Sequence, residues 1–328
     1  MLRTELDLIN RFFSGRQVQR KDVLLSLGDD CAVVKVPQGV RIAVSTDTLV
    51  GGTHFPLSAN PAWVAHKALS SNISDLAAMG ATPAWLSLAL TIPKLDKIWL
   101  TAFSCSFFEL ADCFGMQLIG GDTTRGPLSI TITVQGFLRE NRILKRDGAK
   151  VGDWIYVTGN LGDSRAGLEV ILNSRIYDND PLAKELERRH YLSSPRVLVG
   201  QALLGLANAA VDISDGLISD LKNILKASCV GASVDVSLLP ISQELVQFVG
   251  GSISTAQQYA LSSGEEYELC FTVPEQEKSS IETKLVHCDV KVSCIGRIES
   301  IDTLNLHAKG ESLNWKLNGY DHFKDNNG

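Results

Sequence analysis

Residues 42–50, IAVSTDTLV, and 129–138, SITITVQGFL, decide the fold of the first half of the chain. Both stretches are rich in β-branched residues, which is typical of strands. The segment between them predicts two helices and one more strand, at 61–79, 99–114 and 116–122. Asn60 and Pro61 suit the start of the first helix, and Gly80 suits its end. The last strand, MQLIGGD, is predicted to run into a glycine turn at Gly120–Gly121.

The character of the sequence changes near residue 145, where KRDGAKVGDWIYVTG is polar and interrupted by glycine before a new strand at 154–158. We therefore predict two domains, 1–145 and 146–328, which agrees with a length of 328 residues at about 150 residues per domain. The second half repeats the style of the first, with predicted helices at 163–173, 195–208 and 216–228. The pattern predicts a two-domain fold of the α+β or α/β class.

Composition excludes several classes of protein. Lys and Arg total 31 against 37 Asp and Glu, and no long basic run is present, so we expect no nucleic-acid partner. No apolar stretch reaches the roughly 18 residues of a membrane span, and the first residues lack the apolar core of a secretory signal. We expect a soluble, cytoplasmic protein without a membrane partner. The seven scattered cysteines form no C-x-x-C pair, and we expect reduced, mostly buried thiols.

Acidic residues beside glycines or at strand ends are the most informative feature of the sequence. They are Asp29, Asp30, Asp47, Asp75, Asp122, Asp212 and Asp215. Apolar neighbours place these carboxylates at the edge of a core, where unpaired charge is costly. Basic side chains are not concentrated around them and no histidine cluster exists, so a hard divalent cation, Mg²⁺, is the economical counter-ion, and Mg²⁺ in turn suggests phosphates. The alternative for each single aspartate is a turn former or a helix cap.

Two pairs, Asn72 with Asp75 and Asp212 with Asp215, are spaced three residues apart, so each pair could bind one ion from one helix face. Helix capping is the alternative for Asp212. The segment 120–126, GGDTTRG, offers backbone N–H groups and hydroxyls of the kind a phosphate-binding loop needs. Arg146 could reach a nucleotide phosphate or be a solvated linker charge. No P-loop or protein-kinase motif occurs, so a bound ATP would need another architecture.

Seven motifs in this order carry a resemblance to a known family. They are GDDCAV (28–33), STDTLVGGTHF (45–55), NISDLAAMGA (72–81), IGGDTTRGP (119–127), VDISDGLISDL (211–221), GEEYELCF (264–271) and GYDHF (319–323). Together they resemble the bacterial thiamine-monophosphate kinases, which belong to the aminoimidazole ribonucleotide synthetase-like superfamily. The resemblance spans nearly the whole chain.

The resemblance implies transfer of the γ-phosphoryl group of ATP to thiamine monophosphate, which gives thiamine diphosphate and ADP with several Mg²⁺ ions. Direct in-line transfer is expected, with no catalytic side chain that forms a phosphoenzyme. The superfamily also implies an N-terminal domain that binds ATP and Mg²⁺ and closes a β-barrel with its two-fold mate. A C-terminal α/β domain would cover the active site. We therefore expect a homodimer.

Site residues follow from position in the matching motifs. The resemblance implies as metal ligands Asp30, Ser45, Thr46, Asp47, Asp75, Asp122, Asp212 and Asp215. It implies as nucleotide contacts Gly121, Asp122, Arg146 and Ser214, and as thiamine-phosphate contacts His54, Glu265 and Tyr320. One departure is Glu266, where the family usually has aspartate, and another is an apparent insertion before Tyr320.

Other functions stay open at this stage. A selenophosphate synthetase would need a reactive cysteine beside a lysine near the N-terminus, but Cys31 lies between Asp30 and alanine. A hydrogenase-maturation dehydratase would need a C-terminal cysteine. A metal-dependent phosphohydrolase would release phosphate from ATP without thiamine monophosphate. A catalytically silent nucleotide-binding protein would be expected to lose some of the carboxylates.

Overall fold

The computed structural model describes residues 5–14, 19–140, 142–177, 179–315 and 317. The chain forms two compact units, one of Met1–Leu76 with Ala81–Ile143 and one of Ala77–Gly80 with Leu144–Gly328. The predicted boundary after residue 145 is close to this division, although four residues of the first half belong to the second unit. Tyr320 lies outside the described residues.

The first unit is built around one four-stranded sheet. Its elements in chain order are α1 (Glu5–Phe12), β1 (Val23–Leu25), β2 (Val33–Val34), β3 (Val40–Val50), α2 (Pro61–Ala78), β4 (Thr82–Ile92), α3 (Lys97–Cys113), β5 (Gln117–Arg125) and β6 (Ser129–Arg139). The strand order is β3-β6-β4-β5, in which β6 is antiparallel to both neighbours and β4 is parallel to β5. Alternate residues of β6 are buried, so one face of the sheet meets the core.

The strands predicted at 42–50 and 129–138 are confirmed as β3 and β6, and both predicted helices are confirmed as α2 and α3. Sequence reasoning missed β4, although residues 86–92, LSLALTI, alternate between buried apolar positions and less buried small or polar ones, as a strand does. The predicted glycine turn at Gly120–Gly121 is wrong, since both glycines lie inside β5. A Cβ on Gly121 would lie 1.9 Å from the Leu88 carbonyl oxygen, so glycine serves close contact between strands.

The second unit contains a seven-stranded sheet with helices. Its elements are β7 (Trp154–Thr158), α4 (Asp163–Leu172), α5 (Pro181–Tyr191), α6 (Val197–Ala202), β8 (Ala209–Asp212), α7 (Leu217–Ser228), β9 (Gly231–Asp235), α8 (Gln243–Phe248), α9 (Ile253–Ser262), β10 (Leu269–Val273), α10 (Glu275–Lys278), α11 (Ile281–Leu285), β11 (Val292–Glu299), β12 (Leu304–Ala308) and β13 (Glu311–Ser312). The order is β13-β12-β9-β11-β7-β10-β8, and only β12 and β9 pair in parallel among these strands.

Three of the predicted elements of the second unit are confirmed, namely β7, α4 and α7. The helix predicted over 195–208 is shorter, because only Val197–Ala202 is helical and turns follow. The expectation of mostly buried thiols is wrong, since Cys31, Cys105, Cys113 and Cys229 are exposed. Among the described residues, every helix is too short or too polar to cross a membrane.

Replacing Gly121 with alanine tests the close contact between β4 and β5. Because the new Cβ would overlap the Leu88 carbonyl, we expect Gly121→Ala to lower the free energy of unfolding by about 2 kcal/mol or more. Nothing lies within 4 Å of a Cβ on Gly120, so Gly120→Ala is the matched control and should change stability little. Equal stability of the two variants in urea unfolding would contradict the strand pairing described here.

Candidate functional site

A cluster of oxygen atoms on β3 and α2 forms the candidate site of the first unit. Side chains alternate along a strand, so Ser45 and Asp47 share the face of β3 on which Leu49 is buried. The Ser45 hydroxyl donates a hydrogen bond to Asp75 on α2. The Asn72 side-chain oxygen accepts from the Asp47 N–H at 3.1 Å. The pair at positions 72 and 75 therefore shares one helix face, and both residues contact β3.

The electrostatics of this cluster favour a cation. Burial, and next the negative charge of Asp75, raise the pKa of Asp47 to about 6. A bound cation would favour the ionised carboxylate, and the available donors are two carboxylates and a hydroxyl, which suit Mg²⁺. The donor chemistry of Ser45, Asp47 and Asp75 therefore fits the metal that the resemblance implies.

Two of the expected metal ligands of the first unit lie on the other face of the sheet. The Thr46 hydroxyl is 2.8 Å from the Thr133 hydroxyl. Because side chains alternate along β3, Thr46 projects to the face opposite to that of Asp47. Asp122 on β5 is paired with Ala89 on β4, and the pairing continues across β6 to Thr48 on β3. Residues paired across neighbouring strands share a face, and Thr48 shares a face of β3 with Thr46. Asp122 therefore lies on the face of Thr46. Asp122 lies three strands away from β3, which is roughly 14 Å at about 4.8 Å per strand. Within one copy of the unit, Asp122 and Asp47 are not neighbours.

Two further expected residues of the first unit, Asp30 and His54, lie in loops. Asp30 is exposed, and its N–H donates to the Asp29 carboxylate at 2.9 Å. His54 follows β3, and its Nδ1 accepts from the Val50 N–H at 3.0 Å. Because Nδ1 is an acceptor, the neutral ring carries its hydrogen on Nε2.

The candidate site of the second unit is built where β8 and β10 pair. Their antiparallel ladder continues past both strands, because the Tyr267 N–H donates to the Ile213 carbonyl at 2.9 Å. The Glu265 N–H then donates to the Ser214 carbonyl at 2.7 Å. Ser214 is an expected nucleotide contact and Glu265 an expected thiamine-phosphate contact. One hydrogen bond therefore joins the two loops that are expected to bind different ligands.

Asp220 on α7 holds the first of these loops, and sequence reasoning did not assign it a role. Its Oδ2 accepts from the N–H groups of Ser214 at 3.0 Å, Asp215 at 3.0 Å and Gly216 at 3.1 Å. Burial raises the pKa of Asp220 to about 7. Asp220 therefore caps the loop before α7. Helix capping is the alternative role that the sequence suggests for Asp212. Asp212 itself is buried at the end of β8.

Glu266 fastens the second loop to the start of α4. Its Oε1 accepts from the N–H groups of Gly162 at 2.7 Å and Ser164 at 3.2 Å. The Ser263 hydroxyl oxygen accepts from the Arg165 N–H at 2.9 Å. Burial raises the pKa of Glu266 to about 8. The loop N-terminal to β10 therefore satisfies the otherwise unpaired N–H groups at a helix start.

Other residues complete the second unit's site. Arg146 is exposed, and its carbonyl accepts from the Ser228 hydroxyl at 2.9 Å. Glu268 accepts hydrogen bonds from both Arg196 and the Thr158 hydroxyl. These bonds anchor the motif GEEYELCF (264–271). In the described part of the chain, no group of three or more His, Cys, Asp or Glu side chains is arranged as a complete metal site. Mg²⁺ commonly uses one or two carboxylates with water and substrate phosphates, so such a group is not required.

Comparison with known proteins assigns the family. Residues 28–138 match the model of the AIR synthase related protein, N-terminal domain, and residues 150–309 match that of the C-terminal domain. A curated thiamine-monophosphate kinase of Escherichia coli K12 is 52% identical over 97% of this chain and 98% of that protein. The chain belongs to the thiamine-monophosphate kinase family.

Solved structures of this family share the fold. The thiamine-monophosphate kinase from Stenotrophomonas maltophilia K279a is 39% identical and covers 93% of this chain and 96% of its own, with a TM-score of 0.85. A structure described as "AaThiL complexed with AMPPCP and TMP" is 30% identical, covers 97% of this chain and 96% of its own, and has a TM-score of 0.77. The expected two-domain architecture of the superfamily is confirmed.

Replacing Glu266 with glutamine tests its burial. Between about pH 4.5 and 8, the raised pKa keeps Glu266 protonated in the folded chain, whereas the same side chain is ionised in the unfolded chain. The free energy of unfolding therefore falls as pH rises through this window. Glutamine cannot titrate but keeps the acceptor oxygen. We therefore compare the melting temperature of Glu266→Gln with that of the native chain at each pH. We expect the difference, variant minus native, to be more positive at pH 8 than at pH 5.

The melting measurements are made in EDTA with Glu311→Gln as the control, since Glu311 is exposed. A difference between Glu266→Gln and the native chain that is the same at both pH values would contradict a raised pKa of Glu266.

Proposed function

We propose that the chain transfers the γ-phosphoryl group of ATP to the phosphate of thiamine monophosphate, which yields thiamine diphosphate and ADP. The observation that carries this proposal is the hydrogen bond between Glu265 and Ser214 at 2.7 Å. It places an expected contact of the acceptor and an expected contact of the nucleotide on one rigid frame. Phosphoryl transfer depends mainly on positioning of this kind.

The acceptor needs no strong general base. The second pKa of a phosphate monoester is about 6, so the oxygen of thiamine monophosphate is already a nucleophile at neutral pH. The residues of the chain therefore bind and orient the two substrates: His54, Glu265 and Tyr320 for thiamine monophosphate, and Gly121, Asp122, Arg146 and Ser214 for ATP. Direct in-line transfer follows, without a phosphoenzyme.

Mg²⁺ is the cation that the site would hold. In the first unit Ser45, Asp47 and Asp75 supply neighbouring oxygen donors, and we assign Asp30, Thr46, Asp122, Asp212 and Asp215 as further ligands. When bound, Mg²⁺ neutralises the charge of two polyanions that would otherwise repel each other. The chain's contribution is to hold these oxygen atoms at the edge of a core, so that Asn72 fixes Asp47 and Asp220 fixes Asp215 before the ligands bind.

Product analysis of the purified chain tests the activity. With ATP, Mg²⁺ and thiamine monophosphate, we expect thiamine diphosphate and ADP in a one-to-one ratio, and none of either after EDTA. ADP with free phosphate but without thiamine diphosphate would contradict the proposal and indicate a phosphohydrolase. Asp47→Asn should keep the fold and reduce transfer by at least about a hundredfold, because it removes a charge from the metal cluster. Asp302→Asn, at an exposed position, is the control.

We also infer that the sheet of the first unit pairs with a second copy of the chain. β3 is an edge strand, and its face opposite to Asp47 carries Val44, which is 61% exposed, and Ile42, which is 40% exposed. Covering this face with its counterpart would bury both side chains and close the two sheets into a barrel. It would also bring Thr46 and Asp122 of different copies toward one interface, which supports nucleotide binding along it.

Sedimentation of the Val44→Lys variant tests the dimer. A lysine on this face would place two like charges in the interface, so we expect a monomer where the native chain is a dimer. Leu172→Lys, at a position 75% exposed in the second unit, is the matched control and should remain dimeric. A monomeric native chain, or a Val44→Lys variant that is still dimeric at the same concentration, would contradict the inference.

A further inference from the structure

His190 is a buried histidine near the end of α5, and the proposed reaction does not use it. Only 1% of the residue is exposed. Its Nδ1 lies 3.0 Å from the Ser164 carbonyl oxygen and 3.0 Å from the Ser164 hydroxyl oxygen. The ring also packs edge-on against Tyr191, with centroids 5.2 Å apart. Ser164 and Tyr191 therefore fix the plane of the imidazole.

The other ring nitrogen faces the expected substrate contact. The Nε2 atom of His190 lies 3.5 Å from Oε2 of Glu265, and the Glu265 side chain is 28% exposed. Nε2 carries a hydrogen in the imidazolium, and also in the neutral ring when the Ser164 hydroxyl donates to Nδ1. In these two forms the imidazole attracts one carboxylate oxygen of Glu265, whereas a neutral ring whose Nδ1–H donates to the Ser164 carbonyl would not. Part of the Glu265 side chain is accessible to solvent.

The backbone of Glu265 has an unusual conformation and is held by hydrogen bonds. Its φ of 58° is in the left-handed region, which residues other than glycine rarely adopt. The N–H is held by the Ser214 carbonyl, while the next residue, Glu266, is bound to the Ser164 N–H. Ser164 thus anchors both the imidazole and the loop that carries Glu265. This arrangement fixes the direction of the Glu265 side chain from two sides.

We propose that His190 is a positioning residue for thiamine monophosphate: anchored on Ser164, it directs the Glu265 carboxylate toward the substrate. This inference rests on the proposed function and adds a residue to it. A carboxylate held in one orientation binds the thiazolium cation of thiamine monophosphate without first losing side-chain freedom, which lowers the cost of binding. His190 acts on substrate affinity through Glu265 and belongs to neither the expected nucleotide contacts nor the expected metal ligands.

Steady-state kinetics with each substrate varied separately test the role of His190. We expect His190→Leu, which fills the space without an N–H group, to raise the KM for thiamine monophosphate by about tenfold or more, the loss typical of a hydrogen bond to a charged group. The KM for ATP and kcat should stay within about twofold of the native values. His190→Gln, whose amide can still donate toward Glu265, should restore most of the affinity.

A native KM for thiamine monophosphate in His190→Leu would overturn the proposal. A rise of both KM values together with a fall in kcat would do the same, since it would indicate a general structural role. Combining His190→Leu with Glu265→Gln should raise the KM no further than Glu265→Gln alone, because both act through one carboxylate. Additive effects would show that His190 acts elsewhere.

Two further measurements keep the inference separable from folding and from the activity itself. If His190→Leu does not fold, as judged by its melting transition, Ser164→Ala removes one anchor of the imidazole and should raise the same KM by a smaller factor. If the native chain makes no thiamine diphosphate, the proposed function fails. Calorimetric binding of thiamine monophosphate then decides the role of His190, since equal affinity of native and His190→Leu chains would overturn it.

Discussion

The hydrogen-bonded ladder between β8 and β10 continues past both strands, and the candidate site of the second unit depends on this continuation. Without it, the loop at Ser214 and the loop at Glu265 would be separate surface segments. With it, the two loops share backbone hydrogen bonds, and each is fastened further by a carboxylate that accepts from backbone N–H groups. Asp220 binds one loop and Glu266 the other. Hydrogen bonds within the chain therefore hold both loops of the candidate site, and phosphoryl transfer depends mainly on positioning of this kind.

The burial of carboxylates is common to both units. Removing a carboxylate from water costs free energy unless hydrogen bonds or a cation replace the water. Asp220 and Glu266 receive backbone N–H groups, so hydrogen bonds serve this purpose for them. Asp47 instead lies beside a second carboxylate, and burial, followed by the charge of Asp75, raises its pKa to about 6. This contrast separates the acidic residues that hold the scaffold from those that suit a metal.

The sequence was sufficient for the helices and strands with a clear periodicity, and for the motifs that identify the family. It was not sufficient where tertiary contact overrides local pattern. Gly121 serves a close contact between strands where a turn was predicted. β4 is a different case, since residues 86–92 alternate in burial and the strand signal was overlooked. The role of His190 arises from contacts with Ser164 and Glu265, which belong to other segments, so spacing along the chain gives no signal of it. Asp220 instead binds N–H groups four to six residues before it, a local capping pattern that sequence reasoning overlooked.

Motif position also could not reveal the faces of the sheet. Thr46 and Asp47 are adjacent in sequence, yet their side chains project to opposite sides of β3. Asp122 lies on the side of Thr46, three strands away. The proposed ligand set therefore divides into groups that one copy of the first unit does not bring together. The inferred pairing of two sheets would account for this division, because it would bring Thr46 and Asp122 of different copies toward one interface.

A crystal structure of the chain with a non-hydrolysable ATP analogue, Mg²⁺ and thiamine monophosphate would test the central claim most directly. The account predicts that the hydrogen bond between Glu265 and Ser214 persists, that the nucleotide contacts Ser214, and that thiamine monophosphate contacts Glu265. Either ligand bound away from these two loops, or a loop rearranged so that the hydrogen bond is broken, would contradict a preassembled frame.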